Sequence, residues 1–332
     1  MSKAFISVEG VSKWYPYKGS AKAAGKPLNG RGKDFIKACD DIDLTIERGE
    51  ILGIIGESGC GKSTLAKVLT RLEEPTSGDC FIDGVSTKDM IKKDARAFRR
   101  QVQMVFQNPF DTFTPRDTIA KILMRPMKIH GIGASDDERW QKCCEALEAN
   151  GLTPADDIME RFPHELSGGQ LQRISIIRSM FLEPSFIIAD EPVSMLDVSV
   201  RADIINMLID LAEQKDAAVM FISHDIALTR YISDHIAVMY LGRVVEYGTA
   251  DDVIKNPMHP YTRALISNCA SIDPFEVSES IEIEGEPPTP LNPGPGCYFA
   301  ERCSEVCEAC HKSYPERIEL ENGHWYTCFQ SR

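Results

Sequence analysis

The stretch Gly56-Glu57-Ser58-Gly59-Cys60-Gly61-Lys62-Ser63-Thr64 constrains this chain more than any other. Its pattern, G-x-x-x-x-G-K-[ST], is stable in one setting, a loop between a strand and a helix. The run Ile51-Leu52-Gly53-Ile54-Ile55 before it has a strand's composition. Leu65-Ala66-Lys67-Val68-Leu69 after it has a helix's. The glycines let successive backbone N–H groups converge on an anion with no Cβ in the way. The helix N-terminus adds partial positive charge, and Lys62 a full one. Such a loop grips phosphate. Lys62 is placed for the β- and γ-phosphates of a nucleotide, and the Ser63 hydroxyl for Mg²⁺.

A phosphate loop needs an acidic strand end. Phe186-Ile187-Ile188-Ala189-Asp190-Glu191 provides one. Asp190 is placed to hold Mg²⁺, directly or through water. Glu191 is the natural residue to polarise an attacking water. Phe186–Ala189 and Val219–Ile222 are fully apolar runs of strand length, as inside a parallel sheet, with an amphipathic helix over 199–214 between them.

Around this frame, strands are predicted at 5–8, 42–46, 81–84 and 102–106, and a basic helix at 88–99. Residues 17–34 read as an extended loop. Residues 116–182 lack strand signals and read as a helical insertion. Within them, Ser135-Asp136-Asp137-Glu138 has capping-box spacing before a helix that stops near Gly151. From about 248 the character changes. Pro287-Pro288-Thr289-Pro290 and Pro293-Gly294-Pro295-Gly296 mark a stiff linker ahead of a cysteine-rich end. No internal repeat is present.

Composition sets outer bounds. Hydrophobic residues at 43% and charged residues at 26% are ordinary for a globular protein. No apolar run approaches the ~20 residues that span a bilayer, and MSKAFISVEG lacks a signal peptide's apolar core. The expected location is the cytoplasm, or the cytoplasmic face of a membrane through a partner. The net charge of −13 argues against a nucleic-acid partner.

Leu166-Ser167-Gly168-Gly169-Gln170 opens a second helix with a serine and two glycines, a second anion-binding helix N-terminus. One nucleotide needs only one such device from each chain. The economical arrangement is a head-to-tail dimer, with ATP between one chain's loop and its partner's serine–glycine turn.

On these motifs the chain resembles the ATP-binding subunits of ABC transporters, over roughly residues 5–265. LSGGQ resembles that family's signature. Gln107 in VFQNPF matches its Q-loop glutamine, Ser194-Met195-Leu196-Asp197 its D-loop, and His224 in FISHD its switch histidine. The resemblance implies an α/β fold: a P-loop NTPase core of the ABC ATPase type, with an antiparallel β subdomain and a helical insertion. A small, irregular, Cys-rich C-terminal extension follows. The expected division is an ATP-binding domain over 1–250, its helical subdomain at about 116–182, and an extension over 251–332. The implied activity is ATP hydrolysis. Gly56–Thr64 bind the phosphates. Ser63, Gln107 and Asp190 attend Mg²⁺. Glu191 is the general base, with Gln107 and His224 beside it. Tyr15 stacks on adenine, with Trp14 and Tyr17 as rivals. Leu166–Gln170 complete the partner's ATP, and Asp197 belongs to the D-loop.

Further details are similar to the oligopeptide/dipeptide importer branch: Asn108-Pro109-Phe110, Arg125-Pro126-Met127, Asp197-Val198-Ser199-Val200 and Asn256-Pro257-Met258-His259-Pro260-Tyr261-Thr262. That resemblance implies a second, related ATPase subunit, two transmembrane permease subunits and an external substrate-binding protein. It implies that residues 107–118 and the helical insertion form a groove for a membrane subunit's coupling helix. Oligosaccharide or nickel-chelate importers, and a soluble ABC ATPase outside transport, are the alternatives.

Cys39, Cys60, Cys80, Cys143, Cys144 and Cys269 are scattered, and reduced buried thiols are the expectation for them. Cys297, Cys303, Cys307, Cys310 and Cys328 crowd the end of the chain. The pattern Cys297-x5-Cys303-x6-Cys310-x17-Cys328 matches the branch's tail, with Cys307 additional. A [4Fe–4S] cluster, Zn²⁺ and plain buried thiols all stay open, and His311 and His324 are weaker ligand candidates.

Overall fold

The structure, a computed structural model, describes residues 4–17, 34–268, 281–283 and 285–330. Most of the predicted 17–34 loop, and Cys269, lie outside them. The chain forms two compact units.

The first unit holds residues 4–5, 46–51 and 85–222. Three parallel strands form its sheet, Val102–Val105 beside Phe186–Asp190 beside Ala218–Ile222. The central and last of these are buried along their whole length, which is why they read as unbroken apolar runs. Helices carry the remainder: Thr87–Gln101, Ile119–Ile129, Asp136–Ala149, Ala155–Glu160, Gly168–Met180 and Val198–Lys215. Their starts follow local chemistry. Thr118 Oγ1 accepts from Lys121 N–H, and Ser135 Oγ accepts from Glu138 N–H at 3.1 Å. The Glu138 carboxylate takes the Ala134 N–H in return. Gly151, at φ +72°, ends the Asp136–Ala149 helix.

The second unit holds the described residues of 6–45, 52–84 and 223–332. Strand Ile6–Pro16 lies between Phe35–Ile46 and Ser77–Ile82, pairing antiparallel with the latter in the register Ile6↔Ile82. A second sheet starts from Ile51–Ile55, the strand that feeds the phosphate loop. It pairs parallel with His235–Tyr240, which pairs antiparallel with Arg243–Thr249. Beyond these lies a small hairpin, Trp325–Tyr326 with Ile318–Glu319. The two parts of the unit have different strand periods. Phe35–Ile46 alternates buried and exposed toward its end, whereas Ile51–Ile55 is buried throughout.

The C-terminal segment is bound tightly into this second unit. Phe299 joins a buried cluster with Ile55, Val238, Tyr240 and Tyr261. Lys37 N–H donates to the Pro290 carbonyl, and Asn292 N–H to that of Phe35. The stiff linker is therefore anchored to the strand Phe35–Ile46.

Candidate active site

The predicted site residues fall into two groups, one in each unit. In the second unit, Gly56–Gly61 links strand and helix as predicted, and the helix begins at Lys62. Gly56 and Gly61 have φ of +150° and +110°. A Cβ on Gly56 would run into the Met239 carbonyl oxygen, and one on Gly61 into that of Ala38. These glycines let neighbouring backbone pass close to the loop. Gly59 differs: nothing lies within 4 Å of where its Cβ would be, so the loop is open on that side.

Lys62 is only 6% exposed. Its Nζ donates to the carbonyls of Gly56 (2.7 Å) and Glu57 (3.0 Å), holding the loop in a curl. Cys60 is buried, its Sγ 3.7 Å from that nitrogen. Ser58 and Ser63 are exposed and Thr64 is half-buried. Glu57 is fixed at three points. Its carbonyl accepts from Lys62, and its N–H donates to Tyr261 Oη at 2.8 Å. Its carboxylate pairs bidentately with Arg302, at 2.7 and 2.9 Å. That carboxylate and the Tyr240 hydroxyl hold the guanidinium pKa above its usual value.

Of the aromatic candidates, Tyr15 is half-buried and donates its hydroxyl to Glu73, with Lys13 Nζ 5.1 Å from its ring centre. Burial and the Glu73 carboxylate push its pKa up to about 12. Trp14 is engaged elsewhere: its indole N–H donates to Asp40 at 3.1 Å and its ring lies under Lys37. Tyr17 is held at its backbone by Asp34. His224 is exposed, just ahead of the helix Ile226–Ile232. The neighbouring Asp225 caps that helix, accepting from Leu228 N–H at 3.0 Å.

In the first unit, Asp190 is buried at the end of its strand. Glu191, the next residue, has φ +47°, the left-handed region that a side chain seldom adopts. Its N–H is held by the Ile222 carbonyl at 2.9 Å. Gln107 Nε2 donates to Glu191 Oε2 at 2.9 Å and reaches Ser194 Oγ at 3.4 Å. The structure thus brings together the Q-loop glutamine, the predicted base and the D-loop serine. Asp197 is the N-cap of Val198–Lys215, and Met195 is 64% exposed.

The signature is a capping box. Ser167 Oγ accepts from Gln170 N–H at 3.3 Å, and Gln170 Oε1 accepts from Ser167 N–H at 3.0 Å. Gly168 and Gly169 form the first turn, and Leu166 is buried behind them. A cavity of about 290 Å³ elsewhere in this unit is lined by Phe113, Arg125, His130 and Arg178 among others. The Arg178 guanidinium lies 4.9 Å from the Phe113 ring centre.

Comparison with known proteins agrees with this geometry. A family model described as ABC transporter matches residues 39–194. One described as oligopeptide/dipeptide transporter, C-terminal region, matches 245–310. A putative peptide import ATP-binding protein of Brucella ovis is 41% identical over 98% of this chain and 97% of its own length. The chain belongs to the ABC transporter family. It is an ATP-hydrolysing subunit of that family, carrying the oligopeptide/dipeptide-type C-terminal region. A di/tripeptide transport ATP-binding protein of Pseudomonas aeruginosa is 44% identical over 86% of this chain and 88% of its own. Among solved structures, the dimeric ATP-binding cassette MJ0796, bound to ADP and Pi after hydrolysis, superposes with a TM-score of 0.63. It is 29% identical, covering 74% of this chain and 98% of that one. No helix among the described residues is long and apolar enough to cross a membrane.

The tail requires a correction. Cys297, Cys303, Cys310 and Cys328 do line one small cavity, with Cys307 3.5 Å from Cys310. Yet among the described residues no three His, Cys, Asp or Glu side chains are grouped to hold a metal, so the expected cluster or zinc ion has no support here. The physical reason lies in the thiols' surroundings. The cavity they line is small and largely apolar, with Pro260, Phe299, Ala300, Pro315 and Phe329 standing among the thiols. Burial pushes the Cys297 pKa up to about 12 and raises that of Cys328. His324 has a carboxylate partner. Its Nε2 lies 2.7 Å from Glu246 Oε1, and both side chains are buried.

Arg302 and Tyr261 were not predicted as site residues. Tyr261 stands in the branch motif HPYT, and Arg302 directly before Cys303. Neither position shows in sequence that it folds back on Glu57.

Proposed function

We propose that this chain is the ATPase that powers import of oligopeptides or dipeptides across a membrane. It would sit on the cytoplasmic face, bound to two permease subunits and paired with a second, related ATPase, with an external binding protein delivering cargo. The ATP-binding domain is assigned to 1–250, its helical subdomain to about 116–182, and the extension to 251–332. The observation that carries the reading is near-complete coverage, in both directions, between this chain and a peptide import ATP-binding protein.

The roles follow from the residues. Gly56–Thr64 cradle the phosphates, and ATP arrival exchanges the two loop carbonyls on Lys62 for phosphate oxygens. Tyr15 takes adenine. Ser63, Gln107 and Asp190 are assigned to Mg²⁺. Hydroxyl, carboxamide and carboxylate oxygens are the hard donors it prefers. The ion when bound would neutralise charge on the β- and γ-phosphates. Glu191 accepts the proton of the attacking water. Gln107, already on its carboxylate, orients it. His224 contacts the γ-phosphate. Leu166–Gln170 meet ATP held by the partner ATPase, and Asp197 lies beside that junction. The cavity by Phe113 and Arg178 is assigned to the coupling helix.

The test is purification of the tagged chain from detergent-solubilised membranes, with uptake of a labelled dipeptide measured in cells lacking it. Two permease subunits, a second ATPase and lost uptake are expected. An active ATPase with no membrane partner would remove the transport role.

A further inference from the structure

The C-terminal extension reaches the phosphate loop through two side chains, Tyr261 on the Glu57 backbone and Arg302 on its carboxylate. Arg302 ends the short 3-10 turn Ala300–Arg302, between the cavity-lining Cys297 and Cys303. Its side chain is 7% exposed and its bidentate partner, Glu57, is the second residue of the phosphate loop. The guanidinium is itself located by other groups. Nη2 donates to the Gly285 carbonyl at 3.0 Å, and Nη1 lies 3.3 Å from the Tyr240 hydroxyl. Beneath it, Phe299 packs edge-on against Tyr240 and Tyr261, with ring centres 5.2 and 5.4 Å away. Tyr261 is the residue that receives the Glu57 N–H. The neighbouring Tyr298 donates to Asp40 at 2.7 Å, and Asp40 also takes the Trp14 indole N–H.

Glu57 is a carboxylate in a loop built to receive a polyanion. Left unpaired, it would repel phosphate, and its backbone would be free to leave the curl. Fork-to-fork pairing with an arginine removes both problems, because it neutralises the charge and fixes direction. We infer that Arg302 is a positioning residue for ATP binding, through which the C-terminal extension sets the conformation of the phosphate loop. This rests on the ATPase reading above and extends it to a residue outside the nucleotide-binding motifs. Arg302 touches no reacting atom. Its effect is therefore the same in ground and transition states, and it acts on KM rather than kcat.

The experiment measures ATP hydrolysis and binding of a fluorescent ATP analogue by the full chain in its purified complex. The variants are Arg302→Ala, Glu57→Ala and the double substitution. Loss of one charge-assisted pair predicts a KM raised about tenfold with kcat within about twofold. The double variant should be no worse than either single one, since both remove the same contact. Glu57→Ala removes no core packing, so it serves where Arg302→Ala lowers folding yield. An unchanged KM in folded Arg302→Ala, tighter ATP binding by Glu57→Ala, or single effects that multiply in the double variant would each overturn the inference. A wild-type protein that neither binds nor hydrolyses ATP would instead overturn the ATPase reading itself.

Discussion

Single residues in this chain are held by named neighbours, and each such contact has a measurable consequence. Gly61 has φ +110°, with the Ala38 carbonyl where a Cβ would go. Gly61→Ala should therefore destabilise the fold by about 2–4 kcal/mol in denaturant titration, since left-handed strain and a backbone clash add. His259 is fully buried, and burial lowers its pKa to about 3. Its Nδ1 accepts the Tyr261 N–H at 3.1 Å, so the ring is neutral in the fold. The unfolded chain takes up a proton near pH 6.5, and the native state does not until about 3. Below 6.5 stability should fall as pH falls, by up to about 1.4 kcal/mol per pH unit from this group. His259→Asn keeps an acceptor for the helix cap, and urea titrations across pH should show its acid limb flattened. The candidate nucleotide-binding residues could be picked out in sequence because their chemistry is local: a glycine loop, an acidic strand end, a capping serine. Arg302 could not, because its partner lies 245 positions away.

At the scale of elements, the sheet and helices follow the hydrophobic pattern closely. The buried strands Phe186–Asp190 and Ala218–Ile222 and the helical stretch 116–182 appear where apolar runs and caps place them. The strand predicted at 5–8 extends through Pro16, and that at 42–46 begins at Phe35. Their outer ends are half-exposed and polar, and sheet pairing rather than apolar alternation defines them. The hairpin Ile318–Glu319 with Trp325–Tyr326 was not foreseen, since strands this short carry no periodicity. It is fixed by His324, whose ring meets Glu246 in the buried edge of the sheet. Glu246 also accepts the N–H groups of Met258 and His259, at 2.7 and 2.8 Å. His324→Ala leaves that carboxylate short of a partner. A loss of about 3 kcal/mol is expected, partly recovered by adding Glu246→Gln. Equal thermal melts for wild type and His324→Ala would contradict this.

For the whole molecule, the phosphate loop and the C-terminal extension belong to one compact unit, while Gln107, Asp190, Glu191 and the signature belong to the other. Sequence order hides this interleaving, because residues 6–45 and 52–84 join residues beyond 222. Family motifs could be recognised without it, since they depend on spacing within each loop. What the tail cysteines hold was not legible, because thiol spacing alone suits a cluster, a zinc ion or a plain core. Glu191, oriented by Gln107, is the residue proposed to drive the ATP hydrolysis that powers peptide import. The most direct measurement is ATP turnover and labelled-dipeptide uptake by the reconstituted complex carrying Glu191→Gln in this chain. Turnover at this chain's site should fall by about 10²–10⁴-fold, with uptake lost and ATP binding retained. Unimpaired turnover and uptake in that variant would contradict that role for Glu191.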